Sequence, residues 1–366
     1  MRVLSLFDGM SCGQQALERI GLKVDTYFAS EIDKYAIQVT MANYPNTIQL
    51  GSVVDVNGYD LPKIDLLIGG SPCQSFSFAG KRKGMSTKDE QEILTLEHYL
   101  QLKSEGYEFE GQSYLFWEYM RLLHEVKPKY FLLENVMMGE KWEKVLSKAI
   151  GVNAIEINSS LVSAQNRRRL YWTNIGMESA GLFGDLQSII QQPKDKCILL
   201  KDILQNDVDE KYFLSEDFKN NRLKSNLIKH KNDLKDFCLL DSYNQAIHYD
   251  KSITINTRVN TSSNFHIYEN REVRQLNTSL ESGGVQPYQQ NRVYDADGIS
   301  PALDLDSARK SVYVNSQIRR LTPVECERLQ TVKDNYTNHV SDSQRYRMLG
   351  NGWTVDVIAH IFGYIK

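Results

Sequence analysis

The first 175 residues alternate short apolar runs with segments of helical periodicity, a pattern that few folds accommodate. The apolar runs are rich in β-branched or aromatic residues and bounded by Gly or Pro, which is typical of buried strands. They cover residues 2–7, 26–30, 64–70, 129–136 and 169–175. The segments between them predict helices at Gln14–Ile20, Lys34–Asn43, Leu115–Val126 and Lys141–Ile150. Strand and helix in alternation predict a doubly wound α/β fold with a parallel sheet.

The pattern changes at about residue 180, where short segments rich in Asn, Ser, Thr and Tyr begin. Turn signals such as ESGGVQPYQQN and DADGIS predict a smaller, irregular, mostly β module that extends to residue 316. Helical patterning then returns, with Thr322 as the predicted N-cap and Glu325 at capping-box spacing. We therefore predict an α/β domain over 1–178, a second domain over 179–316 and a segment over 317–366 that returns to the first domain.

The composition limits the classes of protein to which the chain can belong. Of its 366 residues, 41% are hydrophobic and 24% charged, which excludes a disordered or collagen-like chain. The apolar runs are shorter than the roughly 20 residues of a membrane helix, and Asp8 interrupts the apolar start, so we expect no membrane span, no secretory signal and a cytoplasmic location. Five cysteines without zinc-type spacing predict reduced thiols and no metal. Because the net charge is −3, any nucleic-acid binding would depend on local sites.

The first candidate site is the turn SLFDGMSCGQQAL, where a Gly-bearing loop follows the first predicted strand and opens a helix. Glu31 ends the second predicted strand, about 20 residues further on, which is the spacing of a carboxylate that holds a ribose. A nucleotide-like cofactor is one interpretation, and a merely tight turn is the other. The turn lacks a regular G-x-G-x-x-G, which disfavours NAD.

Two further chemical groups lie at the carboxyl ends of predicted strands. Cys73 is in the loop GGSPCQSFS, which contains Gly and Pro residues, and Glu134 is at the end of the predicted strand KYFLLENV. Such a cysteine is either an activated nucleophile or a small buried apolar residue, and such a glutamate is either a proton donor or an ion-paired residue. Because both predicted strands end at the same sheet edge, their convergence favours catalysis.

The segment Gln165-Asn166-Arg167-Arg168-Arg169 leads into the last predicted strand. Alternate residues of an extended segment share a face, so Arg167 and Arg169 should point the same way and Arg168 the opposite way. Two guanidiniums on one face can hold a phosphate or the carbonyl oxygen of a base. The alternative is a solvated basic turn with structural ion pairs.

Taken in order, these segments resemble the motifs of the DNA (cytosine-5) methyltransferases. The matching motifs are LFDGMSCG, SEID, GGSPCQSFS, LLENV, QNRRR, RRLTPVECERLQ and GNGW, which span residues 1–176 and 318–366. Two segments are similar to the eukaryotic de novo enzymes, namely FDG-x-x-x-G and YLFWEYMRLLHEVKPKYFLLENV. The compact chain, in contrast, is similar to bacterial or phage enzymes. The resemblance implies a Rossmann-like S-adenosylmethionine-dependent methyltransferase domain over 1–178 and a target-recognition domain over 179–316.

The resemblance also implies a reaction, namely methylation of carbon 5 of cytosine in a specific duplex sequence. Cys73 would attack carbon 6 of a flipped-out base, and S-adenosylmethionine would give the methyl group and become S-adenosylhomocysteine. Glu134 would hydrogen-bond N3 and the exocyclic amine of the ring. Arg169 would contact the O2 atom, and Arg167 and Gln165 would support the catalytic loop.

For the cofactor, the resemblance implies a set of residues that line one crevice. They are Phe7, Gly9, Met10, Glu31, Ile32, Ser52, Val53, Pro72, Leu115, Asn351 and Trp353. The sequence departs from the family where Gly51-Ser52 replaces the usual Gly-Asp. The adenine contact would then come from Asp55 or from Ser52 through water. A second departure is Ser11 with Cys12, where bacterial members usually have two glycines.

The expected partner is duplex DNA. The implied contacts in the loop after the nucleophile are Ser77, Lys81, Arg82 and Lys83, and those in the second domain are Arg258, Arg271, Arg274 and Arg292. The acidic, helix-prone stretch over 84–112 has no assigned role in the family resemblance. We expect a monomer in a bacterial or phage-infected cell, with a cognate restriction endonuclease of a restriction-modification system as one alternative.

Three rival functions differ in substrate or activity. A related enzyme acting on tRNA shares fold and mechanism but normally lacks so long a middle module. A catalytically inactive binding protein is disfavoured by the intact Cys73, Glu134, Arg167 and Arg169. A Rossmann oxidoreductase is disfavoured, because its chemistry does not require the motif SPC followed by ENV and QNRRR. Methyl transfer to duplex DNA, to tRNA or to neither distinguishes the rivals.

Overall fold

The structure is a computed structural model of the chain. It describes residues 1–72, 85–88, 91–109, 111–180, 185–213, 293–295, 300–301, 311–314 and 317–366.

The described strands and helices are numbered here in chain order. The strands are β1 Arg2–Leu6, β2 Thr26–Ser30, β3 Ile48–Gln49, β4 Leu66–Gly70, β5 Tyr130–Val136, β6 Ile155–Asn158, β7 Gln165–Asn166, β8 Arg168–Thr173, β9 Met177–Ala180, β10 Asp185–Ser188, β11 Val293–Asp295, β12 Ser300–Pro301, β13 Ser311–Val314 and β14 Gln317–Arg320. The helices are α1 Cys12–Arg19, α2 Lys34–Asn43, α3 Leu96–Ser104, α4 Leu115–Val126, α5 Glu140–Ile150, α6 Leu200–Ile203, α7 Pro323–Leu329, α8 Asp342–Asn351 and α9 Val355–Phe362.

The main sheet has seven strands in the order β3-β2-β1-β4-β5-β8-β6. From β1 the chain builds the sheet outward to β2 on one side and to β4 on the other, so the strand order reverses between β1 and β4. In open α/β sheets, ligands bind outside the carboxyl ends of the strands at such a reversal. The turns after β1, β2, β4 and β5 therefore surround the expected binding crevice.

Each side of the sheet has its own apolar core, because successive strand residues face opposite sides. In β4, Leu66 and Ile68 lie in one core and Leu67 lies in the other. Helices α1, α2 and α6 to α9 contribute to the first core, and α3, α4 and α5 contribute to the second. The predicted doubly wound arrangement is thus confirmed.

One strand direction differs from the prediction of a parallel sheet. The predicted strand at 169–175 is present as β8, but it runs antiparallel to both β5 and β6. Residues 159–167, which join β6 to β8, hold only a 3₁₀ turn and the short β7. A parallel return needs a crossover of about a dozen residues or more, so this short link imposes the antiparallel direction.

The predicted helices agree closely with the structure. Helices α2 and α4 have the predicted bounds, and α1 and α5 begin two residues and one residue earlier than predicted. At α7, Thr322 and Glu325 form the predicted capping box, with Pro323 in the first turn. The apolar C-terminal segment forms α9, with side chains such as Ile358 fully buried in the first core. The last segment of the chain therefore packs on the domain built by the first.

The described parts of 179–316 consist of short elements. Strands β9 and β10 form an antiparallel hairpin, β13 pairs with β11 and β14, and β12 pairs with β7. Leu200 and Ile203 of α6 are buried against Cys326 and Leu329 of α7. The division into domains stays a prediction, because most of 214–316 lies outside the described residues. None of the helices in the described part of the chain has the length and apolarity needed to cross a membrane.

Candidate active site

The turn after β1 has an unusual backbone. Phe7, Gly9 and Ser11 have φ values of 57°, 58° and 59°, in the left-handed region that residues with a side chain rarely adopt. This turn directs the Gly9 N–H toward Glu31, whose Oε2 accepts it at 2.7 Å. The other oxygen, Oε1, accepts the N–H groups of Ile32 and Asp33 at 2.7 and 2.8 Å. The Glu31 carboxylate is thus fixed at the carboxyl end of β2, as the spacing predicts.

Asp8 lies within this turn and is a second carboxyl group near Glu31, with no role that the sequence alone assigns. It accepts hydrogen bonds from the Tyr27 hydroxyl at 2.8 Å and from the Ser11 hydroxyl. Burial is the largest cause that raises the pKa of Asp8 to about 6, and the nearby charge of Glu31 adds to it. A perturbed carboxyl group in a cleft is a common feature of functional sites. The sequence feature that could have identified Asp8 is its position as a carboxylate inside a Gly-bearing turn.

The turn after β3 lies beside these groups. The Ser30 hydroxyl at the end of β2 donates to the Gly51 carbonyl at 2.8 Å, which fixes the turn that contains Ser52. Ser52 is partly buried, Val53 is buried, and Asp55 is exposed.

Glu134, Trp353 and Arg169 form a cluster where β4, β5 and β8 end or begin. The indole N–H of Trp353 donates to Glu134 Oε2 at 3.1 Å. Arg169 Nε lies 3.0 Å from Glu134 Oε1, but its N–H is not aligned for a hydrogen bond, so the contact is an ion pair. Gly70 lies against this cluster, because a Cβ at Gly70 would be 2.9 Å from Trp353 Nε1 and 3.1 Å from Glu134 Oε2. The predicted proton donor and the predicted O2 ligand thus meet next to the end of β4.

Asn135 ties β5 to the segment after β4. Its Nδ2 donates to the Ser71 hydroxyl at 3.0 Å, and both residues are buried. Ser71 precedes Pro72 and Cys73, so Asn135 fixes the start of the loop that contains the predicted nucleophile. The motif LLENV does not reveal this role of Asn135, since its partner lies 64 positions away.

Arg167 and Gln165 organise the C-terminal motif GNGW. Arg167, which is 3% exposed, donates from Nη2 to the Gly352 carbonyl at 2.9 Å and from Nη1 to the Gly350 carbonyl at 3.3 Å. Gln165 is fully buried and donates to the Leu329 carbonyl at 3.0 Å. Both side chains therefore support structure, which matches the supporting role that the resemblance implies.

Arg168 points away from this network and toward solvent. It pairs with the exposed Glu156 of β6, whose Oε2 accepts from Nη2 at 2.8 Å. Arg167 and Arg169 are both largely buried near GNGW and Glu134, so the alternation along the extended segment predicts the orientation of all three arginines correctly.

Met10 and Cys12 pack under Gly352. A Cβ at Gly352 would be 2.8 Å from Met10 Cε and 3.4 Å from Cys12 Sγ. Burial raises the pKa of Cys12 to about 12, which keeps its thiol protonated at neutral pH. The Met10 carbonyl accepts the Tyr336 hydroxyl at 2.7 Å. The first turn and the C-terminal segment therefore form one wall of the crevice.

Several predicted residues cannot be placed. Cys73 lies outside the described residues. So do all eight predicted DNA contacts, namely Ser77, Lys81, Arg82, Lys83, Arg258, Arg271, Arg274 and Arg292.

The crevice residues fit a nucleoside cofactor that carries positive charge. Ile32 is 71% exposed beside the fixed Glu31, and such an exposed aliphatic side chain suits the face of a base. A Cβ at Gly9 or Gly51 would meet no atom within 4 Å, so there is open space over both turns. The carboxyl groups of Asp8 and Glu31 suit the cationic groups of S-adenosylmethionine. The chain thus provides an apolar surface, a ribose-type carboxylate and charge complementarity.

Solved structures share this architecture. The Dnmt2 methyltransferase of S. pombe is 14% identical, with a TM-score of 0.59 over 99% of this chain and 97% of that chain. The methyltransferase EhMeth of Entamoeba histolytica is also 14% identical, with a TM-score of 0.61 over 100% of this chain and 97% of that chain. At these identities the similarity establishes the fold.

Sequence relatives cover nearly the whole chain. The orphan methyltransferase M.SPRI of Bacillus phage SPR is 28% identical over 99% of this chain and 96% of its own. The type II methyltransferase M.HgiCI of Herpetosiphon aurantiacus is 27% identical over 96% of this chain and 93% of its own. A family model described as C-5 cytosine-specific DNA methylase matches residues 1–366. With its doubly wound sheet, its Glu134 cluster and this full-length match, the chain belongs to the C-5 cytosine-specific DNA methylase family.

Proposed function

We propose that this protein methylates carbon 5 of cytosine within a specific sequence of duplex DNA, with S-adenosylmethionine as the methyl donor. Membership of the family supports the reaction and the cofactor class. The observation that carries the proposal is the cluster of Glu134, Trp353 and Arg169 against Gly70, because Cys73 follows Gly70 by three positions. A carboxyl group and a guanidinium are thus held next to the start of the loop with the nucleophile.

Carbon 5 of cytosine is a poor nucleophile, so the ring must be activated before it is methylated. The Cys73 thiolate forms a bond to carbon 6, and the electron pair of the 5,6 double bond moves toward carbon 5, N3 and O2. With the base bound, Glu134 in its protonated form donates its proton to N3 and takes it back when the ring is restored, and Arg169 donates a hydrogen bond to O2, where negative charge develops. S-adenosylmethionine, when bound, supplies an electrophilic methyl group, to which the electron pair at carbon 5 forms a bond while the donor leaves as S-adenosylhomocysteine. Loss of the carbon 5 proton to a solvent base, with cleavage of the carbon–sulfur bond, restores the ring and frees Cys73.

Glu134 needs support to act on a ring whose charge changes during the reaction. Trp353 binds one of its oxygens by a hydrogen bond and Arg169 pairs with the other, so the carboxyl group has one orientation. The ion pair is mostly removed from solvent, since the Arg169 side chain is 15% exposed and that of Glu134 11%. Donors that are held in place before the reaction stabilise developing charge better than mobile ones.

The cofactor would lie across the turns after β1, β2 and β3. Glu31 would bind the ribose hydroxyls, and Ile32 would cover the base, with Ser52 and Val53 beside it. Phe7, Gly9, Met10, Pro72, Leu115, Asn351 and Trp353 would line the remainder. Asp55 is exposed on this turn and Ser52 is partly buried, which favours Ser52 as the residue facing the adenine amino group.

DNA would bind across the same crevice with the target base flipped out, because carbon 6 of a stacked base cannot be reached. The basic residues of the loop after Cys73 and the arginines of 258–292 would contact phosphates and bases. The protein would act as a monomer in the bacterial or phage-infected cytoplasm. If a cognate restriction endonuclease accompanies it, the protein would be the protective methyltransferase of a restriction-modification system.

The direct test is transfer of a tritiated methyl group from S-adenosylmethionine to duplex DNA by purified protein. Wild-type protein should label DNA, and Cys73→Ser should abolish turnover while it leaves DNA binding largely intact. Bisulfite sequencing of DNA from expressing cells should then show one methylated motif that depends on Cys73. Full activity of Cys73→Ser would contradict the mechanism, and labelling of tRNA instead of DNA would contradict the substrate.

A further inference from the structure

Glu118 on α4 is a fully buried carboxylate outside the active site. Its Oε1 accepts the Tyr99 hydroxyl and the Lys103 ammonium, each at 2.5 Å. Its Oε2 accepts from Arg121 Nε at 2.8 Å and lies 2.7 Å from Arg121 Nη2. A buried charge is tolerated only with charged and hydrogen-bonding partners. Two of its partners, Tyr99 and Lys103, come from α3, in the acidic stretch to which the family resemblance gives no role.

Arg121 connects Glu118 to two further groups, the Glu125 carboxylate and the Val53 carbonyl. Its Nη1 donates to both oxygens of Glu125 at 2.8 and 2.9 Å, and its Nη2 donates to the Val53 carbonyl at 3.1 Å. Together with Glu118, these acceptors can engage all five N–H groups that a guanidinium offers in one plane. The position of Glu118 therefore fixes the plane of Arg121, and that plane fixes the Val53 carbonyl.

The segment over 53–58 is held on α4 at both of its ends. Arg121 binds the Val53 carbonyl at one end, and Glu125 Oε2 accepts the Gly58 N–H at 2.8 Å at the other. The fit at Gly58 is tight, because a Cβ there would be 2.7 Å from Glu125 Cβ. Ser52 and Val53 are the residues that we place beside the adenine. The ionic network thus ends at the cofactor crevice.

Helix α3 has its own anchors, so it can act as a fixed support. Ile93, Leu96 and Leu102 are buried in the second core. The Phe109 ring lies 5.0 Å from Tyr99 and 4.7 Å from Tyr114, measured between ring centroids. Losing only the Lys103 ammonium or the Tyr99 hydroxyl should leave these apolar contacts in place.

We propose that α3 is a positioning element for the cofactor: through Glu118 and Arg121 it fixes the turn that holds Ser52 and Val53. This inference rests on the proposed cofactor site. Lys103, Tyr99 and Arg121 do not touch the cofactor; they set the geometry of residues that do. Helix α3 therefore tunes cofactor affinity in a chain that has Ser52 in place of the usual aspartate.

The test uses full-length Lys103→Met and Tyr99→Phe, singly and combined. Each keeps the apolar part of its side chain and removes only the group that contacts Glu118. Lys144→Met is the matched control, because it removes an exposed ammonium whose pair with Glu140 lies on the outer face of α5. Calorimetry gives the Kd for S-adenosylmethionine and S-adenosylhomocysteine, and steady-state kinetics with duplex DNA gives KM and kcat.

We expect the double variant to raise Kd and KM for the cofactor by about tenfold, equivalent to about 1.4 kcal/mol, with kcat at saturating cofactor within about twofold of wild type. Lys144→Met should match wild type. A folded double variant with unchanged Kd would overturn the inference while the proposed function stands. Wild-type protein that binds neither S-adenosyl compound would overturn both. If the double variant fails to fold, the comparison of the two single variants decides in the same way.

Discussion

Trp353 donates its indole N–H to Glu134, a residue 219 positions earlier in the chain. The same carboxylate pairs with Arg169, so its orientation depends on one residue from β8 and one from the C-terminal segment.

Trp353→Phe should lower kcat by about tenfold, because it keeps an aromatic ring and removes the hydrogen bond that orients Glu134. Loss of one bond to a charged group corresponds to roughly 1.5–3 kcal/mol at most. Methyl-transfer kinetics on duplex DNA measures this effect. Trp142→Phe is the control, since Trp142 of α5 lies in the second core, and it should leave kcat near wild type. Equal loss in both variants would indicate a general effect on packing instead.

Gly70→Ala should separate Glu134 from Trp353, because the added methyl group would lie 2.9 Å from Trp353 Nε1 and 3.1 Å from Glu134 Oε2. We expect kcat to fall by at least about tenfold and the free energy of unfolding to fall by about 1–3 kcal/mol. Gly139→Ala is the matched control, since its Cβ would meet no atom within 4 Å. If Gly70→Ala kept wild-type kcat, the cluster would not be the catalytic geometry.

Arg167→Ala and Arg168→Ala should differ sharply in stability, although the residues are neighbours. Arg167 is 3% exposed, and its removal leaves the carbonyls of Gly350 and Gly352 without this donor, which should cost about 3 kcal/mol of unfolding free energy. Arg168 forms an exposed pair with Glu156, whose loss should cost less than about 1 kcal/mol. Urea denaturation measures both. Similar losses would contradict the assigned orientations.

Asp8 should make stability depend on pH. Its pKa is raised from 3.8 to about 6 by burial, so the folded protein holds the proton more tightly than the unfolded chain does. This contribution is fully present below pH 3.8 and is lost as the pH rises through 6, with a total of up to about 3 kcal/mol. Urea denaturation from pH 4 to 6.5 should therefore show wild type losing stability relative to Asp8→Asn. A constant difference between the two proteins over that range would be evidence against the shift.

Local sequence patterns predicted much of the fold. Helices α2 and α4 have the predicted bounds because local residues limit them: the Asp33 side chain caps the start of α2 by accepting the Tyr35 N–H, and Lys127, with a φ of 41°, ends α4. The direction of β8 and the existence of β6 were missed. β6 is a four-residue edge strand, IEIN, and the direction of β8 depends on the length of the link between the two rather than on either strand's own residues.

The candidate site was predictable to the extent that one strand or turn specifies it. Strand ends predicted that Glu134 lies at the binding edge of the sheet, and alternation predicted that Arg167 and Arg169 share a face; the structure adds the ion pair between Arg169 and Glu134. The hydrogen-bond donors that orient the residues of the site were not predicted to have that role. Trp353, Asn135 and Tyr336 bind partners 219, 64 and 326 positions away, and no local pattern contains such pairs.

The wall formed by Met10, Tyr336 and Gly352 joins the two ends of the chain. During synthesis the segment with Met10 and Glu134 emerges first and can begin to fold, but Trp353, which binds Glu134, is made 219 residues after it. A nascent or prematurely ended chain therefore lacks an assembled crevice. Methyl transfer would begin only once Trp353 has left the ribosome, so nascent chains shorter than this would not modify the DNA of the cell.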